Sequence, residues 1–176
     1  RDDMTDADTS TPRIEPVDEV SPELEEILKG ALLLDGRPLN IFGVLGRHPK
    51  LHERFTRVAG FLLHTGMLPA RESEIVILRV GWNARSEYQF GQHTIIGLSA
   101  GLTGDEILAL TRDPDEQGWS DADRDLIALA DELAAADRVG DDTWARLAAR
   151  WSEAELVELL LVAGMYRLVS GFLNST

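Results

Sequence analysis

The stretch Leu68–His93, LPARESEIVILRVGWNARSEYQFGQH, decides the reading of this chain. An acidic residue (Glu74), an apolar run (Ile75-Val76-Ile77-Leu78), a polar corner (Trp82 to Arg85) and a histidine (His93) follow one another in it. Pro69 at the start, with Glu72 and Glu74 in the opening turn, predicts a helix to about Trp82, because proline is tolerated at the first helical position and acids suit the positive end of the helix dipole. The β-branched run argues for a buried parallel strand instead. The helix is preferred because no other run in the chain looks like a partner strand. A further helix is predicted over Ser86–Ser99, where Ser86, Gln89 and His93 fall three and four residues apart and so share one stripe. A short corner at Trp82 to Arg85 would fold the two helices back on each other and bring Glu74 towards His93.

These residue types admit two readings each. Glu74 and His93 can form a proton relay, a carboxylate orienting an imidazole that gives and takes a proton near neutral pH; they can equally be a helix-dipole acid and a half-buried histidine. Ser86 and Gln89 read as a capping box, S-x-x-Q, or as polar groups lining a pocket. Ser86 and His93 are seven residues apart, about 10 Å along a helix, which argues against direct activation of the serine. Tyr88 is a candidate acid or oxyanion donor, with Trp82 and Asn83 beside it at the corner. Arg79, on an apolar helix, requires a carboxylate: Glu72, Glu74 or an acidic substrate, an internal ion pair being preferred. His48 and His52 have the i, i+4 spacing of a helical metal pair, but His48 precedes Pro49 and no third ligand is near in sequence, so no metal site is assigned.

The order of residues resembles the core motif of the carboxymuconolactone decarboxylase and alkylhydroperoxidase D superfamily, in which a glutamate is followed twelve residues later by C-x-x-C and then by a histidine. Glu74 stands at the glutamate position, His93 at the histidine position, and Ser86 and Gln89 at the two cysteine positions. Flanking text extends the likeness from Pro38 to Leu110: Pro38-Leu39-Asn40-Ile41-Phe42, the His48-Pro49 helix start, and AGLTGDEI from Ala100. The resemblance implies an all-α helical bundle, assembly as a homo-oligomer (trimer or hexamer), and a reactive centre served by Glu74 and His93.

The 176-residue chain contains no cysteine, so thiol peroxidase, disulfide-exchange and cysteine-ligated metal chemistry have no sulfur to work with. A formal charge of −14 disfavours nucleic acid and anionic membrane surfaces as partners. No run approaches the ~20 apolar residues of a membrane span and the first residues are acidic and polar, which leads to the expectation of a cytoplasmic protein.

Residues 1–20 are rich in Asp, Thr and Pro and read as a flexible acidic arm that Ile14 and Val17 could pin. Residues 21–176 read as one domain. Ser21-Pro22 opens a first helix with Leu24, Ile27, Leu28 and Ala31 at helical spacing. A second runs from Pro49 to about His64 with Leu51, Phe55, Val58, Ala59 and Leu62 inside and a stop at Thr65-Gly66. Capping boxes at Thr103/Glu106 and Ser152/Glu155 start two more, Ser120 starts one with Leu126, Ile127, Leu129, Ala130, Leu133 and Ala134 inside, and Asp142 caps another. Trp119, Trp144 and Trp151 read as core or interface anchors. Glu72-x-Glu74-Ile75-Val76 and Glu153-x-Glu155-Leu156-Val157 echo each other, as a duplicated helical hairpin would.

The expected function is that of a cofactor-independent lyase or related acid/base enzyme on a small carboxylated or lactone substrate. Glu74, His93 and Tyr88 are the catalytic candidates, and Ser86, Gln89, Trp82 and Asn83 the substrate-binding ones. The alternative is a non-catalytic small-molecule-binding or oligomeric scaffold protein. A metal-dependent enzyme using His48, His52 or His93 is a third reading.

Overall fold

The computed structural model describes residues 12–17, 33–34, 37–116 and 118–176. The helix expected from Ser21-Pro22 and most of the acidic arm lie outside them. The described elements are a two-residue antiparallel pair, β1 (Leu33–Leu34) with β2 (Arg37–Pro38), a 3-10 turn at Pro114–Glu116, and eight α-helices. These are α1 (Asn40–Leu45), α2 (Pro49–His64), α3 (Ala70–Asn83), α4 (Glu87–Ser99), α5 (Gly104–Ala109), α6 (Asp121–Ala136), α7 (Asp141–Ala148) and α8 (Glu153–Leu173). The fold is all-α. The chain forms two compact units, Arg1–Arg57 with Ser175–Thr176, and Val58–Asn174.

In the first unit the segment before α1 is tied down by main-chain groups. Val17 N–H donates to the Gly43 carbonyl at 3.1 Å, and Arg47 Nε donates to the Glu15 carbonyl at 2.6 Å. Ile14, by contrast, is exposed. His52 is fully buried and its ring stacks on Phe42 at a centroid distance of 5.6 Å and 14°. Neither ring nitrogen has a hydrogen-bond partner among the described residues.

In the second unit α3 is the central helix, packed against α4, α6 and α8. Its residues Ser73 to Gly81 are all buried, which is why an unbroken apolar run is compatible with a helix here: a helix apolar all round belongs inside a core. Its N–H groups are satisfied within the segment, so Ile75-Val76-Ile77 needs no partner strand. Helix α8 is long and apolar enough to cross a membrane by length and composition. It also buries Leu156, Leu159, Val162 and Tyr166, and its buried Glu158 accepts N–H donors of Met67 and Leu68 at 2.9 and 3.2 Å, the pattern of a core helix. Gly66 lies against that carboxylate so closely that a Cβ there would overlap it.

Both expected capping boxes are formed, Thr103 with Glu106 and Ser152 with Glu155, and Ser120 caps α6. Several expectations are corrected. Leu51 and Val58 of α2 are half exposed, while His52 and Leu62 are the buried positions. In α6 Leu126, Ile127, Leu129 and Ala130 are buried as expected, but Ala134 is exposed. Helix α7 starts at Asp141 with Gly140 as its N-cap, so Asp142 sits in the first turn and does not cap it. Of the tryptophans, Trp119 is buried and Trp144 is exposed.

Arg79 is paired, but with neither Glu72 nor Glu74. Its Nε and Nη2 donate to the two oxygens of Asp131 at 2.6 and 2.8 Å, and its Nη1 donates to the carbonyls of Leu110 and Arg112 at 2.6 and 2.9 Å. The partner comes from α6, which lies alongside α3.

Burial holds the His52 imidazole below its ordinary pKa, since desolvation disfavours the charged ring. The unfolded chain therefore binds the proton more tightly, so this group's stabilisation is full above its unfolded pKa of about 6.5 and is lost as pH falls towards the folded value. Melting curves from about pH 7 to pH 5 are expected to show a fall in Tm that is reduced in His52→Phe, whose ring keeps the stack on Phe42; identical slopes would count against this.

Candidate functional site

Glu74 is carried by the second turn of α3 and His93 by the middle of α4, the two helices being joined by the corner at Ala84 to Ser86. His93 Nδ1 and Glu74 Oε2 are 2.9 Å apart, and both residues are buried, at 7% and 2% exposure. The carboxylate thus fixes the ring. His93 Nε2 has no hydrogen-bond partner among the described residues and is not among the sealed polar atoms, so it is the nitrogen left to exchange a proton.

The phenol beside His93 is Tyr166 of α8, whose ring meets the imidazole edge to face at a centroid distance of 4.7 Å and 86°. Burial, and secondarily the charge of Glu74, push the Tyr166 hydroxyl far above the ordinary tyrosine range, which keeps it neutral. Sequence reading missed it because it lies 73 residues from His93. Its available signal is position: Tyr166 shares a stripe with buried Val162 and Ser170 at i, i+4 spacing on the inner side of α8. Tyr88, five residues before His93, points about 140° away from it around α4.

Ser86 and Gln89 do not form the capping box. Ser86 is the N-cap of α4, but its side chain makes no cap hydrogen bond, and its buried hydroxyl has no partner among the described residues. Gln89 has been drawn elsewhere. Its amide oxygen accepts from Ser170 Oγ at 2.9 Å and its Nε2 reaches the Ile77 carbonyl at 3.4 Å, so it links α3, α4 and α8. Tertiary contacts have overridden a local motif.

Trp82, Asn83 and Ser86 border one cleft of about 700 Å³ at the α3–α4 corner, together with Arg85, Glu87 and Phe90. Trp82 is exposed and packs edge-on against Phe90 at 6.1 Å. Asn83 donates to Asp131 Oδ1 at 2.7 Å, which joins it to the Arg79 network. The corner closes as a Schellman motif: Ser86 N–H donates to the Gly81 carbonyl and Arg85 N–H to that of Trp82, with Arg85 in the left-handed region at φ 52°. Helix α4 closes in the same way with Gly101 at φ 102° in the equivalent place.

The Carboxymuconolactone decarboxylase family profile matches residues 49–132, a span that includes Glu74, the corner and His93. A solved structure with the same fold is a protein of unknown function from Agrobacterium tumefaciens, described as a candidate antioxidant defence protein AhpD. It superposes with a TM-score of 0.67 over 73% of this chain and 88% of that one, at 16% identity. The chain is thus similar to the carboxymuconolactone decarboxylase family over residues 49–132 and shares the fold of the AhpD-like structure. Human Sestrin-2 is 28% identical over 169 residues, which are 89% of this chain and 34% of that protein. The chain therefore spans about a third of that relative's length. The chain is cysteine-free, with serine and glutamine at the positions where the resembled motif has C-x-x-C.

The hydrogen bonding separates the roles of those two positions. Gln89→Leu is expected to cost about 1–3 kcal/mol in urea denaturation, because it strands the Ser170 hydroxyl in a buried place. Ser86→Ala is expected to be close to neutral, whereas a working N-cap would cost about 1 kcal/mol. A reversed order of the two losses would contradict this account.

Proposed function

We propose that this protein is a cofactor-independent acid/base enzyme, of the lyase type, acting on a small carboxylated or lactone substrate. The observation that carries the reading is the 2.9 Å contact between Glu74 Oε2 and His93 Nδ1 in a buried setting. A carboxylate on Nδ1 orients the ring and fixes its tautomer, so Nε2 can donate or accept the proton that such a reaction moves. In a decarboxylation the bond to the departing CO2 breaks, its electron pair passes into the neighbouring carbonyl as an enolate, and Nε2–H returns a proton to carbon. Neutral Tyr166 against the ring shields the pair from competing water. Tyr88, the catalytic candidate named from sequence, is in this reading outside the proton path.

The reading is tested by turnover of carboxylated lactones. Glu74→Gln keeps a hydrogen-bonding group on Nδ1 but removes the charge, and is expected to lower kcat by on the order of 10²-fold, with His93→Gln lowering it further. Substrate turned over equally well by both variants would remove the pair from the chemistry.

A second reading, a non-catalytic binding or scaffold protein, is favoured by Gln89, whose amide is absorbed by Ser170 and Ile77. Wild-type protein that binds lactone acids without turning them over would support it.

We further propose assembly as a homo-oligomer, a trimer or hexamer. Val157, Leu161 and Leu168 are all more than half exposed and lie on one stripe of α8 with Gly164 between them. Exposed apolar residues at helical spacing mark a contact surface. A light-scattering mass near three or six times 19.4 kDa is expected, and a monomer mass would exclude the assembly.

A further inference from the structure

From Ala154 to Gly171 the exposed positions of α8 are all apolar or glycine except Arg167, whereas a surface helix normally turns charged residues to water. Arg167 leans aside, donating to the Leu133 carbonyl and pairing with Asp137. The others, Ala154, Val157, Leu161, Gly164, Leu168 and Gly171, follow at steps of three, four, three, four and three residues. They form one uncharged stripe about 100° wide. The two glycines are its sharper sign. Glycine inside a helix is less stable than alanine, and a Cβ at Gly164 or Gly171 would meet nothing within 4 Å beyond the helix's own backbone. Packing within the chain therefore does not require either glycine. A backbone that comes close from outside does.

We propose that this stripe docks antiparallel, about a two-fold axis, on α8 of a second copy of the chain, with Leu161 lying over Gly164 of the copy. The inference rests on the homo-oligomer reading above and names its contact. The spacing selects the occupant: reversed end to end, three-four-three-four-three is the same series, so every stripe residue meets a stripe residue. Leu161 meets Gly164, Val157 meets Leu168 and Ala154 meets Gly171. The two layers beside the axis then each set a leucine against a bare backbone. A parallel copy would set each glycine on itself and leave voids beside the leucine layers. It would also bring together the like ends of the two helix dipoles, and with them the first-turn acids Glu153 and Glu155. Copies of a chain of formal charge −14 repel through acidic faces, and this face carries no charge. A two-fold contact closes a dimer, and three such dimers make the hexamer.

The chain has no cysteine, so a single introduced thiol reports this contact alone. In the antiparallel register the two copies of Leu161 lie about 4.5 Å apart along the axis, and those of Leu168 about 16 Å apart. A short bismaleimide is therefore expected to join Leu161→Cys into a covalent dimer and to leave Leu168→Cys unjoined. An equal mixture of Val157→Cys and Leu168→Cys is expected to give the crossed product. Gly164→Leu fills the space that Leu161 of the other copy needs, and is expected to weaken association at least tenfold in sedimentation equilibrium with the helical circular-dichroism signal retained. Joining of Leu168→Cys to itself, unchanged association in Gly164→Leu, or binding to phosphatidylcholine vesicles in place of self-association would each overturn the proposal. The homo-oligomer reading stands or falls separately. A trimer mass without the Leu161→Cys product keeps that reading and removes this contact, while a dimer mass with the product does the opposite.

Discussion

The burial of α3 on every side is the constraint on which the rest of the second unit depends. A helix in that position can carry charge only where a neighbouring element answers it, because an unpaired buried charge is prohibitively costly. Arg71 is answered by Asp123 of α6 and Glu106 of α5, Arg79 by Asp131 of α6, and Glu74 by His93 of α4. Each pair is weak evidence for stability, since an apolar pair of the same shape would serve about as well. Each is strong evidence for register: a slip of one residue along α3 would turn all three groups away from their partners. The Arg71 and Arg79 pairs are permanently charged. The third answering group is an imidazole, the side-chain type that the proposed acid/base chemistry calls for.

Sequence reading recovered what is decided within a turn or two of chain. The Pro69 start of α3, the Thr103/Glu106 and Ser152/Glu155 boxes and the shared stripe of Gln89 and His93 depend on neighbours three or four residues away. The Glu74–His93 approach was suggested by the short corner at Trp82 to Arg85 and by the resemblance that places both residues in one motif. What remained hidden is long-range. Asp131 lies 52 residues beyond Arg79, Tyr166 lies 73 beyond His93, and Ser170 draws Gln89 out of its box from 81 residues away. The apolar stripe of α2 was visible as a stripe, yet periodicity does not say what covers it, and Leu51 and Val58 are half exposed.

The two positions where the superfamily pattern has cysteines have gone separate ways, and the backbone explains why. Gln89 is one turn into α4, facing α8, where its amide finds a donor in Ser170 and an acceptor in Ile77. Ser86 sits at the helix start, where its own N–H is already spent on the Gly81 carbonyl that closes α3. A serine cap works when its side chain folds over the first turn. Here the Schellman closure fixes the chain direction entering α4, and the hydroxyl is left without a partner among the described residues.

Arg85 is the sharper sign. The same closure ends α4 with Gly101, which adopts the left-handed conformation freely, while at the α3–α4 corner an arginine adopts it at a cost of about 1–2 kcal/mol. Nothing within the corner recovers that cost, because the guanidinium has no ion-pair partner among the described residues. A glycine would close the helix equally well and more stably. Strain of this kind persists where something outside the local backbone favours the side chain. The strained arginine, the unpartnered serine and the exposed tryptophan all border one cleft, so the corner that brings Glu74 to His93 is also a place where the local sequence departs from a purely structural design.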